Sequence, residues 1–127
     1  MYSLRVAVIL VRHPLVQDTL LSLRDVSTDP DTFRRLAVRI SVLLAAEALR
    51  ELPVKAGVVM TPLCEASGQR LAADVVVVPV LRAGLGMLDA VLELVPGARV
   101  GHIGLQRDEL TAVASRYYAK LPPRLAE

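Results

Sequence analysis

The chain has 127 residues, the length of one domain, and 54% are hydrophobic, so one folded domain with an apolar core is expected over residues 1–127. Aromatic residues make up only 3%, which excludes the stacking platforms of single-stranded nucleic-acid-binding proteins. The net charge of +2 comes from scattered residues, so neither a nucleic-acid arm nor a polybasic membrane segment is expected. Lys55 and Lys120 are the only lysines among 15 basic residues, and arginine suits anionic ligands because guanidinium pairs bidentately with phosphate.

The cysteine content and the N-terminal residues favour a cytoplasmic protein. Cys64 is the single cysteine, which excludes an internal disulfide and a zinc site built from several cysteines. The apolar run Leu4–Val11 is too short to span a membrane, and no small-residue cleavage site follows it. Because this run is short and β-branched, it predicts a buried first strand.

Two helices are predicted next, each beginning at a proline. Pro14 suits the first position of a helix, and leucines at helical spacing follow it. Asp29 precedes Pro30 as an N-cap residue, and the second helix is predicted from Pro30 to about Leu52, where Pro53 ends it. The apolar residues of this helix recur every three or four positions, which predicts one buried face. They are Phe33, Leu36, Ala37, Ile40, Leu43, Leu44 and Ala48.

A short strand and two turns are predicted in the middle of the chain. The strand covers Val54–Thr61, and the turns are expected at Thr61-Pro62 and at Ser67-Gly68-Gln69. Cys64 lies between the turns, and no base partner is evident from the spacing. We therefore interpret Cys64 as a small, partly buried residue and not as a nucleophile.

The following segment predicts two parallel strands joined by a helix. Asp74–Leu81 is a continuous apolar run, typical of a strand covered on both faces. A glycine turn leads into a helix of period 3.6 from Leu85 to Val95, and Arg99–Leu105 is a second inner strand. Strand, helix and strand in this order predict a βαβ unit. Beyond it we expect a loop from Arg107 to Ser115 and a strand over Arg116–Leu121.

Two arginines and a glycine turn form the candidate site. Ligands of open parallel sheets bind beyond the carboxyl ends of the strands. Leu81 and Leu105 are two such predicted ends, and Arg82 and Arg107 stand one and two residues past them. The turn with Gly84 and Gly86 is expected to leave backbone N–H groups open at a helix N-terminus, where an anion is favoured. The sequence therefore predicts a phosphate or diphosphate site. An ordinary tight turn and a surface ion pair of Arg107 with its acidic neighbours remain the alternatives.

The other polar candidates carry weaker signals. His102 lies inside an apolar strand and is interpreted as a core histidine, and His13 is expected to orient a turn or contact a partner chain. Glu47 and Asp89 lie on predicted helices as solvated or interhelical charges. No carboxylate cluster has metal-ligand spacing, and no catalytic residue or metal ligand is assigned.

Several blocks of the sequence resemble one enzyme family, the uracil phosphoribosyltransferases. The principal block is Val78–Met87, which contains Leu-Arg-Ala-Gly. Further similar blocks occur in the same order along the chain: His13–Val16, Leu23-Arg24, Phe33–Ala37, Ala46–Ala48, Thr61-Pro62, Val95–Val100, Arg107-Asp108 and Tyr117–Pro122. The similarity runs from His13 to Pro123. Several blocks in the right order are more specific than any single motif.

The resemblance implies a fold and an activity. The fold is α/β, of the type I phosphoribosyltransferase class, with a parallel sheet flanked by helices, an N-terminal arm and an apparent truncation. Members of the family make UMP and diphosphate from uracil and 5-phosphoribosyl 1-diphosphate in pyrimidine salvage. The resemblance assigns contacts with that substrate to Arg82, Ala83 and Gly84 and to Arg107. It also implies Mg²⁺ with the diphosphate, GTP as an activator of some members, and a homo-oligomer, with no nucleic-acid or membrane partner.

The sequence also departs from the family pattern. Ala46 stands where the family commonly has Tyr, Gln106 where it has an aromatic residue, and Ala114 and Arg116 where it has Pro. The chain resembles about three-fifths of the family's length and lacks the acidic loop running into Ala-Thr-Gly-Gly, as well as the uracil-reading segment.

A non-catalytic module that binds phosphorylated ligands or pairs with a full-length homologue is therefore the alternative function. A domain for another nucleotide-like ligand is the third, and an exposed apolar sheet edge predicts an oligomeric or poorly soluble chain.

Overall fold

The computed structural model describes residues 8–123. Its helices are α1 (Pro14–Arg24), α2 (Pro30–Ala48) and α3 (Leu85–Leu94). Its strands are β1 (Val54–Met60), β2 (Glu65–Leu71), β3 (Val76–Val77), β4 (Val80–Leu81), β5 (Arg99–Val100), β6 (His102–Arg107) and β7 (Ala114–Lys120). None of the helices within residues 8–123 combines the length and the apolar character that crossing a membrane requires.

The predicted first strand is not found where it can be checked. Residues 4–7 lie outside the described residues, and Val8–Val11 have no strand structure. Val8, Ile9 and Leu10 are exposed, so these three residues lie on the surface. An apolar, β-branched run becomes a strand only where a neighbouring strand supplies hydrogen bonds, and no strand of the described chain pairs with Val8–Val11.

Both predicted helix starts are confirmed. His13 caps α1, because its Nδ1 accepts a hydrogen bond from the Leu15 N–H at 3.1 Å, and it thereby orients the turn as predicted. The Asp29 carboxylate caps α2 and accepts from the N–H groups of Asp31 and Thr32, both at 3.0 Å. The α-helix ends at Ala48, earlier than predicted, and a turn leads to the proline. A proline disfavours helical geometry at the residue before it, so the turn that leads from Ala48 to Pro53 is not α-helical.

Small side chains lie where the helices meet. α2 packs against both α1 and α3, and the fully buried positions on them include Thr19, Ser41 and Ala90. The hydroxyl groups of Thr19 and Ser41 each donate to the carbonyl four residues earlier at 2.6 Å, so their burial leaves no polar group unsatisfied. The predicted buried face of α2 is only partly confirmed, since Phe33 remains 48% exposed.

β1 and β2 form an antiparallel hairpin whose tip is Thr61–Cys64. The predicted first strand of this pair is confirmed, but the turn predicted at Ser67-Gly68-Gln69 is wrong, because these residues lie within β2 opposite Ala56–Val58. The Thr61 hydroxyl accepts from the Cys64 N–H at 3.1 Å and donates to the Cys64 carbonyl at 2.6 Å, which fixes the turn earlier. Cys64 is exposed, so its predicted partial burial is also wrong.

The predicted βαβ unit is confirmed. β3 pairs with β5 and β4 pairs with β6, all parallel, with α3 as the connection. The predicted continuous strand Asp74–Leu81 is broken at Val78–Pro79, because proline has no N–H for the ladder. The second strand breaks at the same level, at Gly101. Hydrogen bonds still bridge the break, from the Gly101 N–H to the Val77 carbonyl at 3.0 Å and from Ile103 N–H to the Pro79 carbonyl at 3.3 Å.

β7 adds an antiparallel strand to β6, so the sheet order is β4-β6-β7. The predicted last strand is confirmed, although it begins two residues earlier, at Ala114. Arg107 belongs to β6, which leaves a loop of residues 108–113 where a longer loop was predicted. The fold is therefore α/β with a parallel sheet core extended by one antiparallel strand.

Candidate functional site

The turn after β4 is built around Gly84. The Gly84 N–H donates to the Val80 carbonyl at 2.8 Å, and a Cβ atom on this residue would lie 2.7 Å from the backbone N and O of Val80. Only glycine fits there, whereas a Cβ on Gly86 would meet nothing within 4 Å. The glycine at position 84 is thus required by the chain's own turn, as the ordinary-turn interpretation proposed.

The backbone N–H groups of this turn are mostly engaged. Gly84, Leu85, Gly86 and Met87 each donate to a carbonyl three or four residues earlier, at 2.8 to 3.2 Å. The prediction that these N–H groups are open to an anion is therefore wrong, because the helix starts with tight bonds that satisfy its first donors. Positive charge that could bind an anion at this edge of the sheet therefore comes from arginine side chains and not from backbone N–H groups.

Arg82 follows β4 directly and its side chain is exposed. The peptide bond between Leu81 and Arg82 is cis. Within residues 8–123, the Arg82 guanidinium has no ion pair or hydrogen bond, so it is open to an anion from solvent. Ala83 and Gly84, the other predicted contact residues, continue the same turn.

Arg107 is the last residue of β6 and is likewise exposed. The part of the chain from 8 to 123 contains no ion-pair partner for it. The alternative ion pair with Asp108 is not formed, because this carboxylate accepts from the Leu110 N–H, the Thr111 N–H and the Thr111 hydroxyl at 2.8 to 3.1 Å. These hydrogen bonds, those from Thr111 foremost, lower the pKa of Asp108 below its ordinary value.

The strand register places both arginines at one edge. Leu81 of β4 pairs with Gly104 of β6, and Arg82 begins the turn directly after Leu81. Arg107 lies three residues beyond Gly104 on β6, which is about 10 Å along the strand. The loop beside Arg107 is ordered by Asp108 and contains Ala112 in the left-handed region, at φ 57°. Two exposed guanidinium groups near one strand end can hold a polyanion with several charge-assisted hydrogen bonds.

Tyr117 is a residue at this edge that the sequence reasoning did not single out. A Cβ on Gly104 would lie 2.5 Å from the Cζ atom of the Tyr117 ring, so the ring covers this glycine. A glycine inside an apolar strand, followed by a strand with two tyrosines, is the signal that could have found the pair.

The remaining candidates lie away from the two arginines or do other work. Glu47 of α2 pairs with Arg50 in the turn after the helix, Asp89 is exposed on α3, and His102 is half-buried at the start of β6. Among residues 8–123, no three His, Cys, Asp or Glu side chains come together as a group that could hold a metal ion.

A family model described as uracil phosphoribosyltransferase matches residues 10–127. The chain belongs to the uracil phosphoribosyltransferase family. It is 45% identical over 122 residues to the uracil phosphoribosyltransferase of Wolinella succinogenes, with 95% of this chain and 59% of the relative covered. The uracil phosphoribosyltransferase of Thermus thermophilus is 49% identical over 123 residues, with 93% and 57% covered.

A solved structure supports the predicted phosphoribosyltransferase-type fold. The AQ2163 protein from Aquifex aeolicus superimposes with a TM-score of 0.84 at 31% identity, over 91% of this chain and 56% of that one. The chain thus spans less than three-fifths of the relatives it matches. The predicted family and fold are confirmed, and the roles of Arg82, Ala83, Gly84 and Arg107 stay predictions.

Proposed function

We propose that the chain provides the diphosphate-binding part of a uracil phosphoribosyltransferase, which makes UMP and diphosphate from uracil and 5-phosphoribosyl 1-diphosphate in cytoplasmic pyrimidine salvage. One observation carries the proposal beyond family membership. Arg82 and Arg107, the two arginines of the matching blocks, are exposed and lack partners within residues 8–123; Arg82 follows β4, and Arg107 ends the adjacent parallel strand β6.

The proposed role of the arginines is electrostatic. When the bond between ribose and diphosphate breaks, negative charge develops on the departing diphosphate, and positioned guanidinium groups stabilise it. Mg²⁺ would arrive bound to the diphosphate as part of the substrate. This source fits the site, since the acidic residue beside Arg107, Asp108, directs its carboxylate into its own loop. No side chain of the described residues is assigned as a proton donor or nucleophile.

A second candidate is a non-catalytic module that pairs with a full-length homologue. It is favoured by the exposed apolar side chains on the strands, such as Val58, Met60, Val80 and Leu105. These exposed side chains also support a homo-oligomer, because exposed apolar strands tend to be covered by another chain. Activation by GTP stays a prediction from the family resemblance.

Calorimetric titration with magnesium diphosphate and with magnesium 5-phosphoribosyl 1-diphosphate tests the site. We expect Arg82→Ala and Arg107→Ala each to weaken binding about tenfold or more, since one charge-assisted hydrogen bond contributes roughly 1.5–3 kcal/mol. Arg24→Ala, which removes an exposed arginine at the end of α1, is the matched control and should leave binding unchanged. Equal affinity in all four proteins would contradict the assignment.

Formation of UMP from labelled uracil separates the two functions. Turnover by the chain supports the enzyme. Ligand binding without turnover, together with co-sedimentation with the Thermus thermophilus relative, supports the pairing module. Neither binding nor turnover nor association would overturn both.

A further inference from the structure

The β6–β7 hairpin extends beyond the parallel sheet at one defined level. β4 ends at Leu81, which pairs with Gly104, and β6 and β7 continue past that point as a two-stranded ribbon. The ribbon consists of residues 105–107 and 114–116, all exposed, and we call it the outer hairpin. Arg107 lies on it, whereas Arg82 lies on the turn after β4. The position of one arginine relative to the other therefore depends on the angle at which the outer hairpin leaves the sheet.

The Tyr117 ring fills the position that a side chain at Gly104 would occupy. A Cβ there would lie 2.5, 2.7 and 3.0 Å from Cζ, Cε2 and Cε1 of the ring. Real Cβ atoms do not approach other heavy atoms so closely, so the ring packs directly on the backbone of β6. Gly104 is buried, and the ring is part of what covers it.

The backbone is irregular at the same place. Gly104 pairs with Tyr118, but Leu105 pairs with Arg116, so Tyr117 is the extra residue of a β-bulge. A bulge bends its strand and increases the local twist, and it re-aims the residues beyond it. The ring and the bulge thus coincide where the outer hairpin begins.

We propose that Tyr117 is a positioning residue: its ring, packed on Gly104, sets the angle of the outer hairpin and so holds Arg107 in place beside Arg82. The role given to Arg107 in this inference rests on the proposed function. The packing of the Tyr117 ring on Gly104 at the bulge, which we call the hinge, does not depend on that function. Tyr117 acts through Arg107 and is not assigned a contact with substrate.

A ligand-free experiment on the 127-residue chain tests the hinge. Gly104→Ala should lower the midpoint of thermal unfolding by several degrees in the natural background. In a Tyr117→Ala background the same change should have no further effect, because the atoms that the new methyl group meets are gone. An equal loss in both backgrounds would overturn the contact.

Hydrogen exchange then tests whether the contact orders the outer hairpin. In Tyr117→Ala we expect amide exchange of residues 105–107 and 114–116 to rise about tenfold, with α3 unchanged. Tyr117→Phe keeps the ring and should restore natural exchange, whereas Tyr118→Ala removes the neighbouring ring as a control and should have a smaller effect. Unchanged exchange in Tyr117→Ala would overturn the hinge.

Binding of magnesium diphosphate connects the hinge to the site. Tyr117→Ala should weaken binding by threefold to tenfold, Tyr117→Phe should bind normally, and in an Arg107→Ala background the tyrosine change should cost nothing further. A full additional loss in that background would show that the ring acts on the ligand directly and would overturn the positioning role. If the natural chain does not bind diphosphate, the proposed site fails, while the hinge is still decided by unfolding and exchange.

Discussion

The hairpins β1–β2 and β6–β7 are alike in local structure and differ in what holds them. Each is an antiparallel pair with a short connection, and most residues of both are exposed. β6 pairs a second time, with β4; Tyr117 of β7 covers Gly104, and Lys120 together with the two residues after β7 covers Gly101. β1 and β2 make no extensive contact with any other helix or strand of the described chain, and the hydrogen bond from Ala72 N–H to the Pro53 carbonyl, at 2.8 Å, closes their base.

This difference separates the formation of a hairpin from its placement. Cross-strand pairing and a turn suffice to form either hairpin, but an isolated two-stranded hairpin is marginal in water. β6–β7 is built into a sheet and can therefore carry a residue such as Arg107 at a defined position. β1–β2 lacks that support within residues 8–123, so the rest of the fold should depend little on it.

Deleting β7 from one hairpin, and both strands of the other, is the strongest test of this contrast. We expect truncation after Arg107, which deletes β7, to abolish cooperative thermal unfolding or to leave the chain insoluble, because it uncovers β6. Replacing residues 54–71 by two glycines should change the free energy of unfolding by about 1 kcal/mol or less, since the ends already meet. Calorimetric melting curves of both proteins decide this, and loss of the cooperative transition in the second would reverse the comparison.

Two glycine substitutions test the same contrast with a smaller change. A Cβ on Gly101 would lie 2.9 Å from Cδ of Pro122 and 3.1 Å from the Lys120 carbonyl, so Gly101→Ala should cost about 1–3 kcal/mol in chemical denaturation. A Cβ on Gly68 of β2 meets nothing within 4 Å. Gly68→Ala should be neutral or stabilise by a few tenths of a kcal/mol, because alanine loses less backbone entropy on folding. Equal costs would mean that Gly68 of β2 is as tightly covered as Gly101, between β5 and β6.

Lowering the pH should affect amide exchange at the two hairpin tips differently, and this is the smallest of the expected effects. Because the folded-state pKa of Asp108 is lowered from 3.8, its contribution is complete above that value and is lost as the pH falls through the lower folded pKa. The β1–β2 tip is held by the Thr61 hydroxyl, which does not titrate there. Amide exchange at Thr111 should therefore accelerate relative to Cys64 as the pH falls below 3.8 and through the lowered pKa of Asp108. Parallel acceleration at both amides would contradict the role of Asp108, and Asp108→Asn supplies the control without titration.

Local rules predicted much of this fold and tertiary pairing decided the rest. The caps at His13 and Asp29 and the βαβ unit follow from residue types at short spacing, so they could be predicted. The turn predicted at Gly68 failed because the Thr61 hydroxyl closes the chain earlier, and the run Val8–Val11 failed because pairing, and not composition, makes a strand.

The sequence likewise predicted some features of the candidate site and not others. The parallel order of β4 and β6 predicts that Arg82 and Arg107 share one end of the sheet, but Arg107 is the last residue of β6 and does not lie beyond the strand as predicted. The engaged N–H groups at Gly84 and Gly86 depend on how the helix begins, which glycine content does not specify. The covering of Gly104 by Tyr117 requires the register of β7, and a bulge shifts that register by one residue.

The position of Pro79 in the parallel pair affects how the chain behaves in concentrated solution. The carbonyls of Val75, Val77 and Pro79 all accept from β5–β6, so the backbone groups of Val76 and Val78 face the opposite side, where no strand of the described chain pairs. Natural edge strands are commonly protected by a proline or lysine turned outward. Here the proline turns inward, and the outward backbone groups of Val76 and Val78 pair with no strand of the described chain, so we expect foreign β-strands to add to this strand as concentration rises.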